Sequence, residues 1–237
     1  MLEIRKDGER GNLDQAWLQT KSTFTHGGKE VSKWTCFGDL CAIDEYWLSP
    51  NKERSVPGDR DAEIITFVLK GHIEHLDNLG NTLVLQDGDV SCMRAGAGIT
   101  HLRRNVSDHE SAHDLQICIF SETHGVSASV EKKRYPTAEK LNRLRIMASP
   151  DGRENSVRIW HDSLIYAAIL EARREIVYAL SGQRKSYVHI TRGTVTLNGQ
   201  RLNEGDGAKI LDEMEITLTT VSGAEFLLFD LARCHPL

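Results

Sequence analysis

Imidazoles and carboxylates gather in the first half of this 237-residue chain. His72, Glu74 and His75 lie in GHIEHLDNLGN, His101 and Arg103 in AGAGITHLRRN, and Asp59 and Glu63 in PGDRDAE. Neutral imidazoles and carboxylates are donors that a first-row divalent ion can take. Two features oppose that chemistry. Side chains alternate along a strand, so His72 and His75 point to opposite faces and at most one joins any ligand set. Arg103 stays protonated and repels a divalent ion that shares its pocket. His113 opens the apolar run HDLQICIF and reads as a surface or satisfied core residue rather than a catalyst. No P-loop, GxGxxG or Ser-His-Asp spacing occurs, which leaves nucleotide and nucleophilic chemistry without a motif.

The elements that position these residues come in two copies. TFVLKGHIEHLDNLGNTLVLQDGDVSCM (66–93) and YVHITRGTVTLNGQRLNEGDGAKIL (187–211) share one plan. Each has an apolar strand ending at a glycine (Gly71, Gly193), then an alternating hairpin that turns at Gly80 or Gly199. Each closes on a Gly-Asp pair, Gly88-Asp89 or Gly205-Asp206. The corresponding glycines are 122, 119 and 117 residues apart, too far for a solenoid period. One β unit is therefore used twice, and short strands with glycine turns imply sandwiches or barrels. TAEKLNRLRIM (137–147) is the best helix candidate and fits a connector. The linker is expected within 121–150.

Composition is that of a soluble globular protein, with 27% charged and 40% hydrophobic residues and a net charge of −5. No basic block supports nucleic-acid binding, and no apolar run is long enough to span a membrane. Five cysteines, an odd number without CxxC, point to reduced thiols and a cytoplasmic protein. Cys92 and Cys118 read as buried fillers and Cys234 as exposed. Cys36 and Cys41 are five apart, which on a strand puts them on opposite faces and argues against a disulfide. Arg184-Lys185 reads as a solvated loop, and His161, Tyr187 and His189 as structural.

The run EIITFVLKGHIEHLDNLGNTLVLQDGDVSCMRAGAGITH resembles the core of the pirin family of bicupins. So do ERGNLDQAWLQTKSTFT, WHDSLIYAAILEARREIVYALSGQRKSYVHITRGTVTLNGQ and EFLLFDLA, so that nearly the whole chain is covered. The resemblance implies an all-β fold of two tandem cupin-type β-barrels with a short connecting helix. The N-terminal cupin would span residues 1–125 and the C-terminal one 126–237. It also implies a metal site in the first unit only, built from an HPH segment, a third histidine and a glutamate two residues later. Carried over by position, with Glu63 as the anchoring strand-start glutamate, the HPH segment becomes Pro57, Gly58 and Asp59. The third histidine is His101, with Asn105 keeping the H-x-x-x-N spacing, and the glutamate becomes Arg103.

One ligand position of four is unchanged. The pocket candidates are Asp59, Glu63, His101 and Arg103, with either an Asp59–Arg103 ion pair where the family holds its ion or a solvated 51–61 loop from which Asp59 swings out. No metal or other cofactor is expected; if one binds, His101 and Asp59 are its ligands, to Fe(II) or another divalent first-row ion. The first expectation of function is a small-molecule-binding or regulatory bicupin. The alternatives are a quercetin 2,3-dioxygenase-type oxidoreductase with an altered ligand set, and a protein-interaction module with a protein partner.

Overall fold

The computed structural model describes residues 1–24, 34–56, 62–78, 80–94, 100–120, 128–181 and 184–232. In chain order the first strands are β1 (Leu2–Arg5), β2 (Gly11–Gln15), β3 (Leu18–Ser22), β4 (Leu40–Leu48) and β5 (Glu53–Val56). Next come β6 (Ala62–Lys70), β7 (His72–Asp77), β8 (Thr82–Gln86), β9 (Asp89–Arg94), β10 (His101–Asn105), β11 (Ala112–Phe120) and β12 (Ser129–Arg134). After a single helical turn, α1 (Thr137–Lys140), follow β13 (Arg145–Ser149), β14 (Val157–Arg158), β15 (Ser163–Leu170) and β16 (Glu175–Ala179). The chain ends with β17 (Arg184–Leu197), β18 (Gln200–Asn203), β19 (Gly207–Ile210), β20 (Glu215–Thr219) and β21 (Ala224–Ala232). No helix among the described residues is long and apolar enough to cross a membrane.

The chain divides into two compact units. One is Gly11–Arg134; the other joins Met1–Arg10 to Tyr135–Leu237. This differs from the expected division at 125/126 at both ends. β12 pairs with β9 and so stays with the first unit. β1 pairs with β19, which carries the N-terminal segment to the second unit. Asp206 fastens it there, accepting from the Asp7 amide and from Lys6 Nζ at 2.8 Å each.

The repeat is present in both units. Gly71 and Gly193, Gly80 and Gly199, Gly88 and Gly205 all take left-handed φ between 77° and 88°. A Cβ at Gly71 would meet the Ala112 Cα at 3.1 Å, and one at Gly193 the Gly223 carbonyl at 2.5 Å, so both hinges need glycine. The aspartate of each Gly-Asp pair closes its turn, Asp89 accepting from the Gln86 amide and Asp206 from the Asn203 amide. Asn81 caps the first hairpin by donating to the Asp77 carboxylate from its amide (2.8 Å) and side chain (2.7 Å).

In the Gly11–Arg134 unit a four-stranded sheet, β5-β10-β7-β8, and a seven-stranded sheet, β12-β9-β6-β11-β4-β3-β2, hold the site. β7 has His72 exposed, then Ile73 and His75 buried, as period 2 requires. β6 is buried along nearly its whole length, the mark of a central strand with both faces covered.

Three local expectations are corrected. The helix over 137–147 is one turn long. Asn142 adopts a left-handed φ of 54°, donates its amide to the Ile169 carbonyl at 2.7 Å, and the chain then enters β13. Cys36 and Cys41 form a disulfide. The chain doubles back between them at Gly38 (φ 65°), with the Phe37 amide donating to the Leu40 carbonyl, so strand alternation does not apply. Arg184 and Lys185 open β17 rather than forming a solvated loop, and Arg184 donates to the carboxylates of Asp162 and Asp230. Cys92 and Cys118 are free and buried as expected, while Cys234 lies outside the described residues.

Candidate functional site

The site follows from the ladder of the four-stranded sheet. Residues directly opposite in an antiparallel pair share a face. Arg103 on β10 stands opposite Arg54 on β5 and His75 on β7, and His75 stands opposite Leu83 on β8. One row thus reads Arg54, Arg103, His75, Leu83. His101, two residues before Arg103, projects to the same face, and its ring lies 5.6 Å from that of His75 with 26° between the planes.

The seven-stranded sheet answers with a second polar set. Asp114 and Gln116 alternate inward on β11, opposite Tyr46 and Asp44 on β4. The Arg103 guanidinium is ion-paired with Asp114 and donates to Gln116 Oε1 at 3.2 Å. The Tyr46 ring packs under two guanidinium groups, with Arg54 Cζ 4.3 Å and Arg103 Cζ 4.9 Å from its centroid. The Tyr46 hydroxyl donates to Asp44 at 3.3 Å.

His101, Arg103 and Asp114 are all but inaccessible, at 1%, 3% and 0% exposure, so their charges act on one another with little screening. Burial, then repulsion from Arg103 and Arg54, holds His101 down at about 4, against a smaller pull upward from Asp77. Burial, Arg103 and His101 keep His75 well below the ordinary histidine range. Both rings are neutral at pH 7. Burial brings Arg103 down to about 10, where Arg54 opposes and Tyr46 and Asp44 support its charge; it remains a cation at pH 7. His75 also lines a cavity of 380 Å³ walled by Leu83, Met93, Ala128 and Val130, with Asp77 and Lys132 at its polar side.

The candidates named from sequence fare differently. His101 and Arg103 sit together at the centre of the site. Pro57 and Asp59 lie outside the described residues, and with them the expected Asp59–Arg103 pair. The carboxylate that the structure places on Arg103 is Asp114. Glu63 is buried but belongs to the other face of its sheet. It stands opposite Ile119 and Arg94, whereas the site face of β6 carries Ile64, Thr66 and Val68. That corrects its assignment to the pocket. Asn105 is a structural clamp, donating from Nδ2 to the carbonyls of Leu48 (2.9 Å) and Glu110 (2.8 Å). His113 is satisfied by Glu45 at 2.8 Å and stacked on Trp47, on the face away from the site. Arg54, Tyr46, Asp44, Asp114 and Gln116 were not foreseen. Their signal was polar residues at period 2 inside strands otherwise apolar, D-x-Q on β11 and D-x-Y on β4.

The family's divalent ion can be tested against the described donors. Among them no three of His, Cys, Asp and Glu converge as a metal set. His101 is one imidazole with a free lone pair, and His75 a second. Between them and the seven-stranded sheet stands the Arg103 guanidinium, ion-paired with Asp114, a fixed positive charge that repels a dication. The described donor set does not fit a divalent ion.

Comparison with known proteins places this arrangement in a family. The family model described as Pirin matches residues 5–119, and that described as Quercetinase C-terminal cupin domain matches residues 146–231. A quercetin 2,3-dioxygenase of Escherichia coli K12 is 31% identical over 231 residues, covering 98% of this chain and 99% of its own. A pirin-like protein of Caulobacter vibrioides is 33% identical over 233 residues, covering 98% and 100%. The crystal structure of YhhW from Escherichia coli matches with a TM-score of 0.92 at 31% identity over 100% of both chains. YhhW in complex with nickel(II) matches with a TM-score of 0.89 at 30% identity, covering 99% of this chain and 100% of its own. With two cupin-type domains in tandem and relatives matched end to end, this chain belongs to the pirin family.

Proposed function

We propose that this protein binds a small molecule in the polar interior of its Gly11–Arg134 unit, without a divalent ion at the position its family uses. The observation that supports this is the buried Arg103–Asp114 pair; by the resemblance, Arg103 falls where the family has a metal-binding glutamate. A cavity of 380 Å³ beside His75 is within the range of small-molecule sites. Elemental analysis of the purified protein tests the reading. The expected result is iron, manganese, nickel and copper well below one per chain. Stoichiometric metal that disappears in His101→Ala would overturn it.

A second reading is metal-dependent chemistry of the quercetin 2,3-dioxygenase type. It draws support from the name of the Escherichia coli relative and from the nickel(II) complex of YhhW. Oxygen uptake with quercetin separates the two readings: none above blank under the first, turnover that tracks metal loading under the second. Restoring the family ligands with Pro57→His, Asp59→His and Arg103→Glu, together with Asp114→Asn to remove the extra carboxylate, is expected to confer nickel binding on a protein that lacked it.

A further inference from the structure

The Cys36–Cys41 disulfide joins the two ends of a turn that closes without it. The Phe37 amide donates to the Leu40 carbonyl at 2.9 Å, Gly38 supplies the left-handed residue, and the side chains of Phe37 and Leu40 are buried. A cross-link between residues five apart removes less entropy from the unfolded chain than one that closes a long loop. The unit therefore folds around its buried strands whether the pair is oxidised or reduced.

The two sulfurs differ in reach. Cys36 is half-buried, whereas Cys41 is buried, with its Sγ 3.9 Å from the Gly38 carbonyl oxygen. A thiolate arriving from solvent meets Cys36 first. Cys92 and Cys118 are buried free thiols, and burial pushes Cys92 well above the ordinary thiol range, which keeps it unreactive.

The β4–β11 ladder is irregular at the same place. Cys118 stands opposite Ala42 and Ile119 opposite Leu40, so Cys41 is the extra residue of a bulge on β4. Farther along, the same strand carries Asp44 and Tyr46 of the polar interior.

We propose that Cys36–Cys41 is a reversible thiol–disulfide site, opened at Cys36 by a low-molecular-weight thiol, and that opening it loosens the start of β4. The thiolate attacks Cys36 Sγ, the Cys36–Cys41 bond breaks, and Cys41 leaves as a thiolate that takes up a proton. A second thiolate attacks the small thiol's own sulfur in the mixed disulfide and releases Cys36. One protein disulfide and two small thiols thus become two cysteine thiols and one small disulfide. Two electrons and two protons pass to the protein.

The full chain, equilibrated in dithiothreitol buffers from fully oxidised to fully reduced, tests the site. Samples are quenched in acid, denatured, alkylated with iodoacetamide and mapped by mass spectrometry. Cys92 and Cys118 are expected to be labelled throughout, and Cys36 and Cys41 only toward the reduced end, while circular dichroism shows the native sheet in every buffer. A pair that opens only when urea unfolds the protein, or one already open at the oxidised end, would overturn the proposal. In native single variants, Cys36 in Cys41→Ser is expected to react with iodoacetamide about tenfold faster or more than Cys41 in Cys36→Ser. Equal rates would overturn Cys36 as the point of entry. Hydrogen exchange at Cys41–Asp44 is expected to rise about tenfold or more on reduction, with β15 of the other unit unchanged. Cys36→Ser with Cys41→Ser should reproduce that rise without reductant. Equal protection of β4 in both states would overturn its coupling to the disulfide.

Discussion

The two units carry the same strands around opposite interiors. Strand registers align them position by position. His75 follows the hinge Gly71 by four residues, as Leu197 follows Gly193. Arg103 stands opposite His75, as Leu218 stands opposite Leu197. Arg54 corresponds to Ile176, and Ile216 stands two residues before Leu218 as His101 does before Arg103. On the facing strands Asp114, Gln116 and Tyr46 correspond to Phe226, Leu228 and Ala168. All seven counterparts belong to one apolar core, with Tyr166, the counterpart of Asp44, packed against it. One backbone plan thus tolerates either filling. The apolar filling is what packing alone selects, and the polar one, with its desolvated charges, is the costlier of the two.

The comparison can be broken most forcefully by exchange. Leu218→Arg places a guanidinium in the apolar core with no carboxylate near, and is expected to unfold that unit, a loss of more than about 5 kcal/mol. Survival of a cooperative second unit in calorimetry would mean that the two interiors are less different than their residues. The converse, Arg103→Leu, removes the partner of a buried carboxylate and is expected to lose about 4 kcal/mol. Arg103→Leu with Asp114→Phe, which copies the second unit, should recover most of that. Urea unfolding followed by tryptophan fluorescence reads this unit well, since Trp17, Trp34 and Trp47 lie in it and only Trp160 in the other. A double variant no better than the single would sink the idea that the charges are an exchangeable filling.

Acid should act on the polar unit first. Unfolded, His101 takes a proton near its ordinary value of 6.5; folded, only near 4. Between those values the unfolded state binds more protons, so stability rises with pH across the window. The contribution is fully present above 6.5 and lost as pH falls through 4, about 3 kcal/mol in all. His101→Ile, which copies Ile216, is expected to flatten this part of the stability–pH curve, and an unchanged slope would remove the assignment to His101. The smallest contrast lies in the turns. Asp206 accepts from the Asn203 and Asp7 amides and Lys6 Nζ, whereas Asp89 accepts from the Gln86 amide with Lys132 at 3.5 Å. Asp206→Ala should therefore lose about 1 kcal/mol more than Asp89→Ala in thermal unfolding.

Much of the architecture was legible because glycine and alternation are local signals. Three pairs of glycines with left-handed φ, each followed by its strand or its aspartate, place both hairpins without reference to anything distant. The one-turn helix was not legible. Leu141, Leu144 and Met147 have helical spacing, yet Leu141 and Asn142 pair with Ile169, a partner 27 or more residues away. The disulfide escaped for the opposite reason, a turn at Gly38 so tight that strand periodicity fails within five residues. The N-terminal strand could not be assigned to the second unit from its own residues, since Asp206 is nearly two hundred positions off.

At the site, sequence by itself determined that His101 and Arg103 share a face and that His72 and His75 do not. Each follows from period 2 along one strand. Tertiary structure alone decided that Asp114 is the carboxylate on Arg103, that Tyr46 lies beneath two arginines, and that Glu63 turns away. Those facts depend on the register between strands and on which sheet faces which, and a one-residue slip in either would reverse them.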